Sequence, residues 1–244
     1  MPPNTSATPV AFVTGAAGGI GKAVVAHLRG AGMRVYATDL ALAAVPCGEE
    51  GFEASSLDVT DEAAVAREVG GCLTRFGRID HMVHLAGKAG SGPIDSVPLA
   101  EWRALLAVNL DSAFVLAKAV HGALAATRGS LTLMASSNGI NGGSHLSGPA
   151  YAVAKAGIIN LTRYLAKEWA GEGIRVNCLA PGPIDTPMVG RFPADVRAKL
   201  EASVPLQRFG APEEVAGAVA FLTSAAAAFT TGTVMNISGG VVLD

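Results

Sequence analysis

The chain has 244 residues, half of them hydrophobic and 16% charged, with a formal net charge of −2. That length holds one large core or two small ones, and the near-neutral balance without a Lys/Arg run argues against nucleic-acid and anionic-membrane partners. Cys47, Cys72 and Cys178 stand without paired spacing, which argues against both a disulfide framework and a metal site.

The segment before Val10 is polar and proline-containing, unlike the apolar core of a signal peptide, and no unbroken apolar run reaches the roughly 18 residues of a membrane span. A soluble cytoplasmic protein with a flexible N-terminus over 1–8 is expected. Val10-Ala11-Phe12-Val13 then suits a strand buried on both faces of a parallel sheet. Directly after it comes Thr14-Gly15-Ala16-Ala17-Gly18-Gly19-Ile20-Gly21, and Ile20, Val24, Val25 and Leu28 recur at helical spacing. Gly15, Gly18, Gly19 and Gly21 let a strand turn into a helix while backbone N–H groups approach a pyrophosphate at the helix N-terminus. A turn of this kind also serves as a plain strand-to-helix connection.

The second strand, 34–38, runs into Asp39 about twenty residues past the glycines. An acid at that spacing accepts hydrogen bonds from an adenosine ribose. It repels a 2′-phosphate, and Leu40, Ala41 and Leu42 bring no cation to neutralise one, so NAD(H) is expected over NADP(H). A third strand over 53–58 ends near Asp58, with Val59 beside it. Asp58 reads either as a contact to the adenine amino group or as a turn ahead of a helix.

Further strands are expected at 81–85, 130–135, 174–179 and 233–237, with helices near 19–31, 61–76, 99–126, 150–171, 194–202 and 212–225. The alternation gives an α/β fold: one Rossmann domain over 9–244, a doubly wound seven-stranded parallel sheet with helices on both faces and right-handed crossovers. Pro212, Glu213 and Glu214 suit the first turn of the last helix, with Val215, Val219 and Leu222 on its apolar face. Two turn-rich loops, near 138–149 and 183–206, follow strands at the sheet edge where open α/β sheets bind ligands.

The chemistry-bearing residues cluster on those elements. Tyr151 and Lys155 stand four apart at the start of a helix and so share a face. A cation beside a phenol lowers its pKa from ~10 toward a value useful in proton exchange, although such pairs are also common on ordinary amphipathic helices. Ser136 and Ser137 end the apolar run Leu131–Ala135, where a hydroxyl can bond a substrate oxygen or simply terminate the strand. Asn109 is a polar residue inside an apolar helix and needs partners if buried, either a water or a backbone carbonyl.

TGAAGGIG, Asp39, Asp58, Asn109, Ser136/Ser137, Tyr151-x-x-x-Lys155, Asn177-x-x-x-Pro181-Gly182 and Pro212-Glu213-Glu214-Val215 occur in one order. Together they resemble the short-chain dehydrogenase/reductase family over nearly the whole chain. The resemblance implies that Tyr151 exchanges the proton of the substrate oxygen while hydride passes to or from the nicotinamide. It implies that Lys155 lowers the Tyr151 pKa and bonds the nicotinamide ribose, that Ser136 orients the carbonyl and that Asn109 holds a relay water. Ala86 and Gly87 let the cofactor approach, Pro181 and Gly182 lead into the segment near the carboxamide, and Ile184 and Thr186 contact it. Substrate contacts are expected from Ser137, Asn138, His145 and Met188, with His145 alternatively a solvated loop side chain; Met188, Val189 and Phe192 suggest a partly apolar lid.

Three departures from the family pattern stand out. Ser136 lies fifteen residues before Tyr151, about two more than usual, which places a small insertion in 139–149 and leaves Ser137 as the second choice. His84-Leu85-Ala86-Gly87 stands where an Asn-Asn-Ala-Gly segment is common, and Ser238-Gly239-Gly240 where Asp-Gly-Gly is common. The expected activity is NAD(H)-dependent interconversion of a small to medium secondary alcohol and its ketone. The alternatives are a 3-oxoacyl-carrier-protein or 3-oxoacyl-CoA reductase and, from another class, an NAD-binding sensor or structural homologue without turnover. The resemblance also implies a homo-oligomer, with a tetramer favoured.

Overall fold

Seven parallel strands form one sheet in the order β3-β2-β1-β4-β5-β6-β7 in the computed structural model, which describes residues 8–41 and 50–243. The strands are β1 Val10–Thr14, β2 Arg34–Asp39, β3 Phe52–Ser56, β4 His81–His84, β5 Ser130–Met134, β6 Arg175–Pro181 and β7 Val234–Ile237. Cys47 and all of the expected N-terminal tail except Thr8 lie outside the described residues.

The helices are α1 Gly19–Gly30, α2 Glu62–Phe76, α3 Leu99–Leu106, α4 Ser112–Thr127, α5 Asn138–Asn141, α6 Pro149–Trp169, α7 Pro187–Gly190, α8 Ala194–Ala202 and α9 Pro212–Thr223. Every residue of β1 and β5 is buried, as strands covered on both faces require. Alternation along β1 sends Phe12 to a core with Met82, Leu116, Leu131 and Ile158, and Val13 to a second core with Val24, Leu28, Val83 and Val219. The helices α2, α4 and α6 thus cover one face, and α1 and α9 the other. Because β1 pairs with both β2 and β4, consecutive crossovers leave β1 in opposite directions, and a cleft opens at the carboxyl ends of the strands.

The segment expected as one helix over 99–126 is two helices joined by a π turn, Ala107–Asp111. Its physical cause is a displaced backbone bond: the Ser112 N–H reaches back to the Ala107 carbonyl, one residue farther than in an α-helix. By length and mean hydropathy, 1.4, Leu99–Thr127 is apolar enough to cross a membrane. Here that apolarity serves the interior, since Leu105, Leu116, Val120 and Leu124 are buried. The single turns α5 and α7 are too short to leave a periodic signal in sequence. At α9, the Glu214 carboxylate accepts from the Ala211 N–H at 2.7 Å and pairs with Arg208, so Glu214 caps the helix it opens.

Truncating a side chain of this interior should cost far more than truncating a surface neighbour. Leu116→Ala is expected to lower stability by about 2–5 kcal/mol in denaturant titration, whereas Arg67→Ala on the exposed side of α2 should change it by under about 1 kcal/mol.

Candidate active site

A cavity of about 870 Å³ occupies the cleft. One wall is the glycine turn between β1 and α1. Gly15 has φ +68°, and a Cβ there would lie 2.6 Å from the Ala86 nitrogen, so only glycine allows the two backbones to close. A Cβ on Gly19 would meet the Thr186 methyl at 2.8 Å. α1 starts without a side-chain cap and without an acid in its first turn, which leaves its first N–H groups turned to the cleft as an anion cradle.

Asp39, at the end of β2, lines the same cavity. One carboxylate oxygen accepts from the Ala17 N–H at 3.1 Å and the other from Ala41 N–H at 2.9 Å. The acid is therefore fixed against the glycine turn. Asp58 forms the turn ahead of α2, accepting from the Thr60 amide and hydroxyl at 2.9 and 2.7 Å, and it lines the cavity with Val59. Those two bonds hold its carboxyl below the usual carboxylate range. Leu40, Ala86, Gly87, Pro181, Gly182, Ile184 and Thr186 line the cavity as well. Lys22, on α1, joins this wall; an inspection of only the residues following Asp39 overlooks it. The cradle, the bare glycine backbone and the acid at the strand end fit a dinucleotide.

The opposite wall carries Ser136, Tyr151 and Lys155. Lys155 is 3% exposed and its Nζ donates to the Met134 carbonyl at 2.7 Å. Burial holds its pKa down to about 8. Its Nζ stands 5.5 Å from the centre of the Tyr151 ring. Burial raises the Tyr151 pKa, opposed first by a hydrogen bond with Ser136 and then by the charge of Arg191. Lys155 spends one of its three ammonium hydrogens on that carbonyl and keeps its charge beside the Tyr151 ring, while Ser136 and Arg191 add further support for a phenolate.

Ser136 reaches Tyr151 because the loop after β5 lies flat on α6. A Cβ on Gly139 would fall 2.6 Å from the Lys155 carbonyl carbon, so a glycine at this position lets the loop close. Ser137 does not line the cavity. Its side chain is buried and its N–H donates to the Pro181 carbonyl at 2.9 Å, since successive residues at a strand end point to opposite sides. Asn138 is likewise outside, with its N–H donating to Ser136 Oγ at 3.2 Å. His145 is exposed and touches the neighbouring loop through its carbonyl, which accepts from the Gly92 N–H at 2.8 Å. Met188, on α7, is the expected substrate residue that lines the cavity.

Of the two partners expected for Asn109, a water or a backbone carbonyl, the side chain takes the second. It is 1% exposed, and its Nδ2 donates to the carbonyls of Lys88 and Leu105 at 2.8 and 2.9 Å while Oδ1 accepts from the Lys88 N–H at 3.1 Å. Both amide hydrogens are spent, so the side chain does not donate to a water. It fixes the Gly87-Lys88 floor from behind, where a Cβ on Gly87 would lie 2.8 Å from its Oδ1 and 3.4 Å from Lys155 Nζ. Asn177 is also away from the cavity, binding the backbone of Thr230 and Thr233 at the β6–β7 connection.

Two further cations were missed besides Lys22. Lys88 lines the cavity, and the Arg191 Nη2 donates to the carbonyls of Gly90 and Leu146 at 2.9 and 3.0 Å, tying the segment after α7 to both opposing loops. The visible signal was a lone arginine within the otherwise uncharged stretch Met188–Phe192.

A family model described as enoyl-(acyl carrier protein) reductase matches residues 15–242. The chain is 40% identical to cis-4-hydroxycyclohexanecarboxylate dehydrogenase of Sinomonas cyclohexanicum over 95% of both chains. It is 36% identical to a 3-oxoacyl-[acyl-carrier-protein] reductase of Thermotoga maritima, covering 96% of this chain and 98% of that one. Among solved structures, a short-chain dehydrogenase/reductase family oxidoreductase from Burkholderia thailandensis superposes with TM-score 0.85 at 36% identity, covering 97% of this chain and 94% of that one.

The electrostatics of Tyr151 can be read without turnover. An ultraviolet difference titration against Tyr151→Phe should place its ionisation above the ordinary ~10 of tyrosine. Ser136→Ala and Arg191→Gln should each move it higher still, because each removes support from the phenolate while burial continues to favour the neutral form. An unchanged titration in both variants would contradict this assignment.

Proposed function

The chain belongs to the short-chain dehydrogenase/reductase family, and from that premise we propose that it is an NAD(H)-dependent oxidoreductase interconverting a small to medium secondary alcohol and its ketone. The observation that carries this reading is the placement of Ser136, Tyr151 and Lys155 on one wall of a cavity whose other wall is the glycine turn and Asp39.

The nicotinamide, when bound, supplies the hydride acceptor in oxidation and the donor in reduction. Ser136 hydrogen-bonds the substrate oxygen. In oxidation Tyr151 acts from its phenolate form, which Ser136 and Arg191 favour against burial, and takes the hydroxyl proton as the carbonyl forms; in reduction the neutral phenol gives that proton to the forming alkoxide. Lys155 fastens the second turn of α6 to the end of β5 through the Met134 carbonyl, which sets the distance between phenol and cofactor cradle. Asp39 supports NAD(H), because its charge opposes a 2′-phosphate; Lys22, a cation on the same wall, works against that preference.

A relative named for oxidising a hydroxycyclohexanecarboxylate supports a cyclic or branched secondary alcohol, and the apolar Met188 and Val189 on the lid side fit a carbon framework. The second reading, reduction of a 3-oxoacyl thioester, draws on the Thermotoga maritima relative and on Lys88 and Arg191 near the substrate side. Exposed Phe114, Val153 and Tyr164 on α4 and α6 support a homo-oligomer, for which the family resemblance favours a tetramer, in the cytoplasm.

Nicotinamide absorbance with both cofactors, a panel of secondary alcohols, the matching ketones and a 3-oxoacyl thioester separates these readings. NAD-linked alcohol turnover is expected; NADPH-linked thioester reduction alone would favour the second. Tyr151→Phe should lower kcat about 10²–10⁴-fold with cofactor affinity retained, whereas a non-catalytic NAD sensor would show no turnover to lose. Asp39→Ala should raise kcat/KM for NADP relative to NAD by about tenfold or more.

A further inference from the structure

His84 closes β4 with a side chain 2% exposed, and both ring nitrogens find hydroxyls that are fully buried. Nδ1 lies 2.7 Å from Thr14 Oγ1, and Nε2 lies 3.0 Å from Ser112 Oγ. Thr14 is the last residue of β1 before the glycine turn, and its Oγ1 also accepts a long bond, 3.5 Å, from the Ala86 N–H. Ser112 is the first residue after the π turn, and its Oγ lies 2.8 Å from the Val108 carbonyl.

The π turn explains why that last contact matters. In an α-helix the Ser112 N–H would serve the Val108 carbonyl, but here it serves Ala107. The hydroxyl takes over, donating to Val108. Ser112 has one hydroxyl hydrogen, so toward His84 it can only accept. Nε2 must then carry a hydrogen, and in a neutral ring Nδ1 must accept, which calls on the Thr14 hydroxyl to donate. Each group is used once as donor and once as acceptor in the order Ala86 N–H, Thr14 Oγ, His84, Ser112 Oγ, Val108 carbonyl.

We propose that His84, fixed as the neutral Nε2–H tautomer, is a positioning residue that locks the π turn bearing Asn109 to the end of β1. Asn109 follows Val108 directly and holds both backbone groups of Lys88, so the chain of bonds joins the cofactor turn at one end to the Gly87-Lys88 floor at the other. An Nδ1–H would confront the Thr14 hydrogen and break the sequence of donors. Lys155, on α6, is the charged group acting on the ring, and its field together with complete burial opposes protonation. The kinetic consequence rests on the dehydrogenase reading above; the tautomer does not.

Two measurements test the proposal. Long-range ¹⁵N–¹H NMR of histidine-labelled protein, with the His84 signals identified by their loss in His84→Asn, should show a protonated Nε2 and an unprotonated Nδ1 at every pH from about 6 to 8.5. An imidazolium, an Nδ1–H ring or a mixture of tautomers would overturn it. In Ser112→Ala, kcat should fall about tenfold while the NAD dissociation constant changes less than about threefold, and Ser112→Thr, which keeps the hydroxyl, should recover most of the loss. Unchanged kcat in folded Ser112→Ala would also overturn it. A wild-type protein without any turnover would count against the dehydrogenase reading, and the spectrum alone would then decide the proposal.

Discussion

Polar chemistry has to be built here at the edge of a sheet buried on both faces, so every donor and acceptor that reaches the site must be satisfied by protein. That requirement shapes the interior more than any single contact. An unpaired buried polar group costs about 1–3 kcal/mol, and the residues around the cleft meet the requirement by serving backbone groups. Lys155 serves the carbonyl of Met134, Asn109 serves Lys88 and Leu105, and Ser112 serves Val108. The site is therefore a set of side chains whose positions are dictated by main-chain atoms, and the sheet transmits its own regularity to them.

The same burial sets the electrostatics. Tyr151 and Lys155 sit in surroundings that disfavour charge on either, raising the phenol and lowering the ammonium. An ordinary tyrosine already titrates slightly below an ordinary lysine, so these opposite shifts carry the two past each other and apart, and a phenolate at Tyr151 needs support from its neighbours. Ser136 contributes a hydrogen bond and Arg191 a charge, and the two differ in kind. The first is built into the end of β5, whereas the second arrives with the segment beyond α7. Arg191 thus couples the proton affinity at Tyr151 to the placing of that segment against the loops at Gly90 and Leu146.

Much of this was legible in sequence because the relevant signals are local. Val10–Val13 reads as a buried strand from four adjacent side chains, and Tyr151 and Lys155 share a face by helical geometry alone. Asp39 follows from a spacing. What escaped was non-local. A pattern of apolar residues cannot reveal that Ser112 bonds to Ala107 rather than Val108, so 99–126 read as one helix. Asn109 announced that it needed a water or a backbone carbonyl without saying which carbonyl, and its amide serves those of Lys88 and Leu105. Lys22 and Arg191 reach the cleft from elements whose packing only the folded chain defines. The serines could be told apart only through Gly139, whose missing side chain lets the loop lie against Lys155.

These facts divide the cleft into two regimes. The floor and the proton-handling wall are held by backbone bonds within the sheet and its first helical turns, where a displacement would orphan several buried groups at once. The side where a substrate's carbon skeleton would rest is bounded by Met188 and Val189 on a single helical turn and is fastened by one guanidinium to Gly90 and Leu146. Few bonds hold that boundary, and replacing a side chain on it strands no buried polar group. Chemistry is therefore costly to alter in this fold, while the shape offered to the substrate is cheap to alter. Relatives at comparable identity carry names as different as a hydroxycyclohexanecarboxylate dehydrogenase and a 3-oxoacyl reductase, as that asymmetry leads one to expect.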